Sequence, residues 1–208
     1  MKVLLLNGSP NEKGCTYTAL SIIADELKEQ GIDSEIFWIG TDPVRSCTGC
    51  CGCRSLDGAC AFDDDVVNTL AKKVRDADGY VFGAPVHYSS PAGSVIAALD
   101  RLFYSCGRFM KFKPASAIVS ARRAGTTASF DVLNKYIQIN NMVEVTSSYW
   151  NMVHGNTPED VLKDAEGIYT MKTLASNMAW MLKVLDSVKG TELEKPKTFD
   201  RVRTNFIR

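Results

Sequence analysis

The chain has 208 residues, 24 Lys and Arg against 24 Asp and Glu, and 45% hydrophobic residues, so its formal net charge is zero. That length and apolar content suit one core of the larger single-domain size, and nothing in the charge balance suggests nucleic acid or an anionic membrane as partner. Seven cysteines are an odd number, and five of them lie between Cys47 and Cys60; this points to metal or redox chemistry in a reducing compartment, not to a disulfide framework. The apolar runs are strand-sized and the chain opens directly on a core strand, so neither a signal peptide nor a membrane span is expected, and the expected compartment is the cytoplasm.

In chain order, Val3 to Leu6 reads as a first strand, and Asn7-Gly8-Ser9-Pro10-Asn11-Glu12-Lys13-Gly14-Cys15-Thr16-Tyr17-Thr18 leads into a helix beginning near Cys15 or Thr16. Gly8 allows a sharp turn off the strand, Ser9, Thr16 and Thr18 supply hydroxyls, and the helix N-terminus aims free N–H groups at an anion. Five residues, not four, separate Gly8 from Gly14, and Cys-Thr follows in place of Lys-Ser/Thr, so the loop is not that of a nucleoside triphosphatase. The second strand closes on Phe37-Trp38-Ile39-Gly40 without an acidic residue, which argues against a dinucleotide fold. A single terminal phosphate fits; the alternative is a plain strand-to-helix turn with an N-capping hydroxyl.

Leu20, Ile23, Ala24 and Leu27 give the first helix one apolar face, and Ser34 to Ile39 is the second strand. Gly40 to Phe62 is a long irregular segment, after which Asp63-Asp64-Asp65 reads as N-cap and first turn of a helix bearing Val67, Leu70, Ala71 and Val74. Tyr80 to Ala84 is the third strand, Pro85 to Gly93 a loop, and Val95, Leu99, Leu102 and Phe103 mark the next helix. Ala117 to Val119 is the fourth strand, Arg122 to Thr127 a loop, Leu133, Tyr136 and Ile137 a helix, and Val143 to Trp150 the fifth strand. Met171 to Leu185 repeat at helical spacing through a long last helix, with methionines as core filler. Strands alternating with helices imply an open parallel sheet covered on both faces, with a domain over 1–190 and a tail over 191–208 that reads as an arm onto a neighbouring subunit.

Ligands of such sheets bind beyond the carboxyl ends of the strands, where the loops after strands one, three and four meet. The second of these loops, with Pro85, Val86, His87, Tyr88 and Pro91, is stiff and aromatic and suits a planar heteroaromatic ring; alternatively His87 and Tyr88 only pack on the following helix. Gly-Ser-Pro-x-x-x-Gly-x-Thr at Gly8 to Thr16, Pro-Val-x-Tyr at Pro85 to Tyr88 and the pair Asp100-Arg101 together resemble the NADPH-dependent FMN reductase and iron-sulfur flavoprotein family of the flavodoxin-like fold, over roughly residues 1–185. The resemblance implies a three-layer α/β sandwich with a five-stranded parallel sheet in the order 2-1-3-4-5. It also implies FMN, its phosphate on Ser9 and Thr16 with Asn11, Cys15, Tyr17 and Thr18 nearby. The ring would lie against Pro85, Val86, His87 and Tyr88 and be closed in by Ala121, Arg122 and Gly125. Relatives carry Asn or Ser at the position of Cys15 and an aromatic at that of His87. Arg122 and Arg123 could reach the phosphates of a nicotinamide dinucleotide, or be solvated charge.

Cys47-x2-Cys50-x2-Cys53-x6-Cys60, with Cys51 as an extra, packs three thiolates into seven residues and adds a fourth. That spacing suits one cubane better than zinc, which usually takes two separated Cys-x2-Cys knuckles. It resembles the compact motif of iron-sulfur flavoproteins, which bind a [4Fe-4S] cluster beside FMN; reduced thiols, disulfides or zinc are the alternatives. Cys106 reads as a buried small hydrophobe. Two functions follow. The first is an FMN-dependent oxidoreductase passing electrons from NAD(P)H to a small-molecule acceptor such as a flavin or quinone. The second is an iron-sulfur electron carrier for a ferredoxin-like partner, docked on a basic patch of Arg101, Arg108, Lys111 and Lys113. A homodimer or homotetramer is expected from the resemblance and from the aromatic stretch between Phe103 and Phe112.

Overall fold

Apolar side chains alternate along β1 (Lys2–Asn7): Val3 and Leu5 face one helical layer, Leu4 and Leu6 the other. Each is fully or almost fully buried and contributes about 1.5–3 kcal/mol by leaving water. The computed structural model describes residues 1–200, 202–204 and 206. Its elements continue as α1 (Cys15–Glu29), β2 (Asp33–Trp38), α2 (Val67–Arg75), β3 (Gly79–His87), β4 (Ser90–Pro91), α3 (Gly93–Cys106), β5 (Pro114–Ala121), α4 (Thr126–Ile139), β6 (Val143–Glu144), β7 (Met152–His154), α5 (Pro158–Val161) and α6 (Ala165–Ser187).

The strands pair in the order β2-β1-β3-β5, and β6 and β7 both lie parallel along the outer side of β5. This is the flavodoxin-like order expected from the sequence, with the fifth strand in two pieces. Helices α1 and α6 cover one face through Leu20, Ile23, Leu27, Met171, Leu174 and Met178. The other face is covered through Leu70 and Val74 of α2, Val95, Leu99 and Leu102 of α3, and Leu133 and Ile137 of α4. Among the described residues no helix is long and apolar enough to cross a membrane.

Three elements depart from the sequence expectation. Val143 to Trp150 is not one strand. Asn151, buried at the edge of β5, donates through Nδ2 to Ser116 Oγ and the Ala117 carbonyl, while Ser116 Oγ donates to the Val145 carbonyl. Backbone bonds to β5 persist at Val145 and Asn151, the side-chain bonds bridge the stretch between them, and β7 then resumes the pairing. The expected loop Pro85 to Gly93 is largely a hairpin: β3 runs on through His87, Tyr88 and Ser89 turn with φ of 51° and 58°, and Ser90–Pro91 pairs back. Two consecutive left-handed residues match a hairpin turn of the primed type. Finally, α2 starts at Val67 with no side-chain cap; Asp65 turns to Arg101 and Asp64 to Arg45. The acidic run is drawn into ion pairs, and what it gives the helix start is Asp65 Oδ1, which accepts from the Val67 N–H at 3.1 Å. Past α6, residues 191–200 form neither helix nor strand; Arg201, Asn205, Ile207 and Arg208 of the expected tail lie outside the described residues.

Candidate functional site

The first loop is held open from beneath by residues that the sequence reading passed over. Asn7, fully buried at the end of β1, donates through Nδ2 to the Glu12 carbonyl at 2.7 Å and accepts from the Ser9 N–H at 3.2 Å. Trp38 Nε1 donates to the Ser9 carbonyl at 2.7 Å. Gly8 is required for close approach, and not for a left-handed turn: a Cβ there would stand 2.2 Å from Val95 Cγ2 and 2.9 Å from the Gly83 carbonyl oxygen. The loop closes with the Gly14 N–H donating to the Asn11 carbonyl at 3.1 Å.

Helix α1 then begins with glycine as its N-cap, with no side-chain cap and no acidic residue in its first turn. Counting from Cys15, the first N–H with a partner is that of Thr18, which donates to the Gly14 carbonyl. The N–H groups ahead of it have no partner among the described residues and stand at the positive end of the helix, an arrangement that suits an anion. The hydroxyls are less free than the sequence suggests. Ser9 Oγ is buried and accepts from the Asn11 N–H at 3.1 Å, so its own proton remains to donate. Thr16 Oγ1 is 2.8 Å from Ser120 Oγ in the interior, and can donate to an anion only while accepting from Ser120. Thr18 donates to the Gly14 carbonyl. Tyr17 is half-buried and Asn11 exposed. Cys15 donates to the Gly155 carbonyl at 3.5 Å, and burial, with the carboxylates of Asp160 and Glu159, pushes its thiol up, so it is a neutral thiol at neutral pH.

The second and third loops meet at Gly125, whose φ of 92° starts α4. A Cβ there would lie 2.8 Å from Val86 Cγ1 and 2.9 Å from Ser89 Cα. The hairpin therefore rests on the third loop. Pro85 and Val86 are half-buried, His87 is exposed, and Tyr88 stands fully in solvent at the tip; neither packs on the following helix. Ala121 is buried at the end of β5, while Arg122 and Arg123 are exposed and make no ion pair among the described residues. A fourth loop that the sequence reading missed joins this edge: the Gly155 N–H donates to the Ala121 carbonyl at 3.0 Å, and Thr157 and Asp160 form a capping box at α5. Thr-Pro followed two residues later by Asp was the available signal for it.

The cysteine segment leaves the same edge after β2 but folds back along α2 and α3. Asp57 pairs with Arg75 and Arg108, and Gly58 is buried against Phe109. Cys47, Cys50, Cys51, Cys53 and Cys60 line one cavity of about 230 Å³ with Phe62, Arg101 and Tyr104. Burial and the neighbouring Cys60, Cys50 and Cys47 push the Cys53 thiol up, while hydrogen bonds from the Gly52 backbone and Thr48 pull Cys50 down. Among the described residues no three His, Cys, Asp or Glu side chains gather as a site for a metal ion, which lends the electron-carrier alternative no support. Of its expected docking patch, Lys111 is exposed and makes no ion pair among the described residues, while the other three are engaged. Arg101 is buried, Lys113 donates to the Ala77 carbonyl and Tyr80 hydroxyl, and Arg108 pairs with Asp57. Cys106 is fully buried and its thiol is pushed up to about 12 by burial, a packing group as expected.

The sheet order, with helices on both faces, defines a protein of the flavodoxin-like fold. Residues 1–157 match the family model described as NADPH-dependent FMN reductase. The chain is similar to an iron-sulfur flavoprotein of Methanocaldococcus jannaschii, 26% identical over 193 residues that cover 89% of this chain and 99% of that protein. It is also similar to an iron-sulfur flavoprotein of Archaeoglobus fulgidus, 37% identical over 101 residues, 49% of this chain and 48% of the relative. In fold it resembles RosB, with a TM-score of 0.71 at 13% identity, covering 100% of this chain and 92% of the other. The chain belongs to the NADPH-dependent FMN reductase family. It is an FMN-binding oxidoreductase that takes electrons from NAD(P)H.

Proposed function

We propose that FMN lies along the edge formed by the four loops, with its phosphate on the N-terminus of α1 and its ring between the β3–β4 hairpin and the 121–125 loop. The observation that carries this is the start of α1, where a glycine N-cap leaves the first-turn N–H groups to a ligand. In this reading Ser9 donates its remaining hydroxyl proton, Thr16 does so while Ser120 donates to it, and Asn11, Cys15, Tyr17 and Thr18 form the surrounding wall. Pro85, Val86, His87 and Tyr88 bound one side of the ring, and Ala121, Arg122 and Gly125 the other. Bound FMN supplies the hydride-accepting chemistry; the chain supplies binding and orientation. Arg122 and Arg123 are cationic groups for the phosphates of NAD(P)H. The test is a comparison of FMN with riboflavin. Phosphate recognition by α1 predicts that riboflavin binds at least about tenfold more weakly, about 1.4 kcal/mol, and equal affinity would remove the phosphate from α1.

A second reading concerns the cysteine segment, where four motif thiols and Cys51 share one cavity and two relatives are named iron-sulfur flavoproteins. We propose that Cys47, Cys50, Cys53 and Cys60 hold a [4Fe-4S] cluster, whose sulfurs stand apart around the iron core where a single ion draws its ligands to a point. About four irons per chain after anaerobic purification supports it. The acceptor is proposed as a small molecule or a ferredoxin-like protein, the compartment as the cytoplasm, and 1–190 as one domain with a 191–208 tail. A homodimer or homotetramer is proposed from the exposed aromatics Tyr104, Tyr169 and Trp180, to be read by sedimentation. Phe103 and Phe109, expected to contribute, are instead packed inward against Phe82 and beneath Arg75 and Arg108.

A further inference from the structure

Helix α3 turns one guanidinium into the protein. Arg101 is 1% exposed, and every polar contact it makes falls on the segment that carries the cysteines. Nε donates to Cys60 Sγ at 3.2 Å, one terminal nitrogen donates to the Arg45 carbonyl at 3.2 Å and to the Asp65 carboxylate, and the other donates to the Phe62 carbonyl at 2.8 Å. Asp65 is itself buried, and its other acceptor positions take the N–H groups of Arg45 and Val67. One side chain thus ties the entry of the cysteine segment at Arg45 to its exit at Phe62 and Asp65.

A clamp made only for structure could spend all of its donors on carbonyls and the carboxylate. Here one N–H is given to a sulfur, inside a cavity lined by four further thiols. A thiolate-bound group carries negative charge, and a fixed guanidinium at one sulfur offsets it; hydrogen bonds to cluster sulfurs also favour the reduced form. The placement on α3 is specific too. Val95, under Gly8 of the phosphate loop, is six residues earlier on the same helix, about 9 Å along its axis.

We infer that Arg101 is a positioning residue: it closes the cysteine segment onto α3, fixes the Cys60 sulfur, and supplies the positive charge that favours the reduced state of the group held there. The last of these rests on the [4Fe-4S] reading; the closure does not. The test uses full-length, FMN-loaded Arg101→Gln and Arg101→Lys, with amide hydrogen exchange, iron and acid-labile sulfide per chain, and the midpoint potential of the iron chromophore. Arg101→Gln should exchange at least about tenfold faster over residues 45–62, with β1, β3 and FMN content unchanged, and should retain less iron at a more negative potential. Arg101→Lys keeps the charge beside Asp65 but cannot reach Cys60 and Phe62 together, so the segment loosens while the potential falls less. Should Arg101→Gln not fold, Arg101→Gln/Asp65→Asn removes both buried charges and carries the same expectations. Exchange over 45–62 equal to wild type overturns the closure. Wild-type iron content and potential in Arg101→Gln overturn the charge role. A wild-type protein that takes up no iron ends the cluster reading and with it the charge role, while the exchange measurement still decides the closure.

Discussion

Replacing Gly8 with Ala tests whether the phosphate loop is held where the packing places it. The added methyl would stand 2.2 Å from Val95 Cγ2 and 2.9 Å from the Gly83 carbonyl oxygen, against the roughly 3.5–4.0 Å at which carbon atoms rest. Val95 is fully buried, and the Gly83 oxygen is the acceptor of the 2.9 Å bond from the Gly8 N–H, so either α3 retreats or that bond opens. Overpacking of this kind costs about 1–3 kcal/mol, and each kcal/mol lowers Tm by about 2–4 °C in a chain of this size. The loop beyond Gly8 moves with it, so FMN affinity should fall at least about tenfold, about 1.4 kcal/mol. Melting curves with and without FMN read both effects, since ligand at about 100 times Kd stabilises by about 2.7 kcal/mol. Gly8→Ala should melt lower in the apo form and gain less from the FMN that saturates wild type. Adding Val95→Ala should recover only part, because the contact with Gly83 remains. An apo Tm and an FMN-dependent gain both equal to wild type would refute the reasoning.

Thr16→Val strands the buried Ser120 hydroxyl and should cost about 1–3 kcal/mol, with Thr16→Val/Ser120→Ala less harmful than the sum, read by denaturant unfolding. Asp65→Asn leaves the Arg101 guanidinium buried without its counter-charge and should cost about 3–5 kcal/mol by the same assay; a loss under about 1 kcal/mol would contradict the buried pair. Hydrogen bonds from Lys2 and Lys73 hold the Glu35 carboxyl below its ordinary value. Its contribution is therefore complete above the unfolded carboxyl value and is lost as pH falls through the lower folded one. Glu35→Gln should cost at most about 1 kcal/mol at neutral pH, the gap from wild type closing in acid; a gap that widens in acid would reverse the sign. Tyr88→Ala removes a fully exposed side chain and should change stability by under about 0.5 kcal/mol while weakening FMN binding. Unchanged FMN affinity would take Tyr88 out of the site.

The parallel core was legible because its signals are local. The alternation in Val3 to Leu6 and the helical period of Leu20, Ile23 and Leu27 each name a buried face, and both appear where that period puts them. What was hidden depends on partners distant in sequence. Asn151 interrupts the fifth strand only because Ser116 and Ala117 are across from it. The Asp63–Asp65 run looks like a plain helix N-cap, but Arg45 and Arg101 claim two of its carboxylates and Asp65 meets the Val67 N–H only alongside Arg101. Arg101 itself, expected in a basic docking patch, is buried because Asp65, Cys60 and Phe62 converge on it from the segment before. At the site, Gly-Ser-Pro and Pro-Val-x-Tyr gave the two loops, and Thr157-Pro158 signalled a helix start, but the commitment of Thr16 to Ser120 and the bond that brings Gly155 to Ala121 depend on tertiary contacts.

Adding NADPH, then NADH, to the FMN-loaded protein without oxygen and following flavin absorbance shows whether this chain binds FMN and reduces it with NAD(P)H. The flavin bands should bleach with at least one of the two and return when an acceptor such as a quinone or free flavin is added. Flavin bands that persist with both nicotinamides would contradict it.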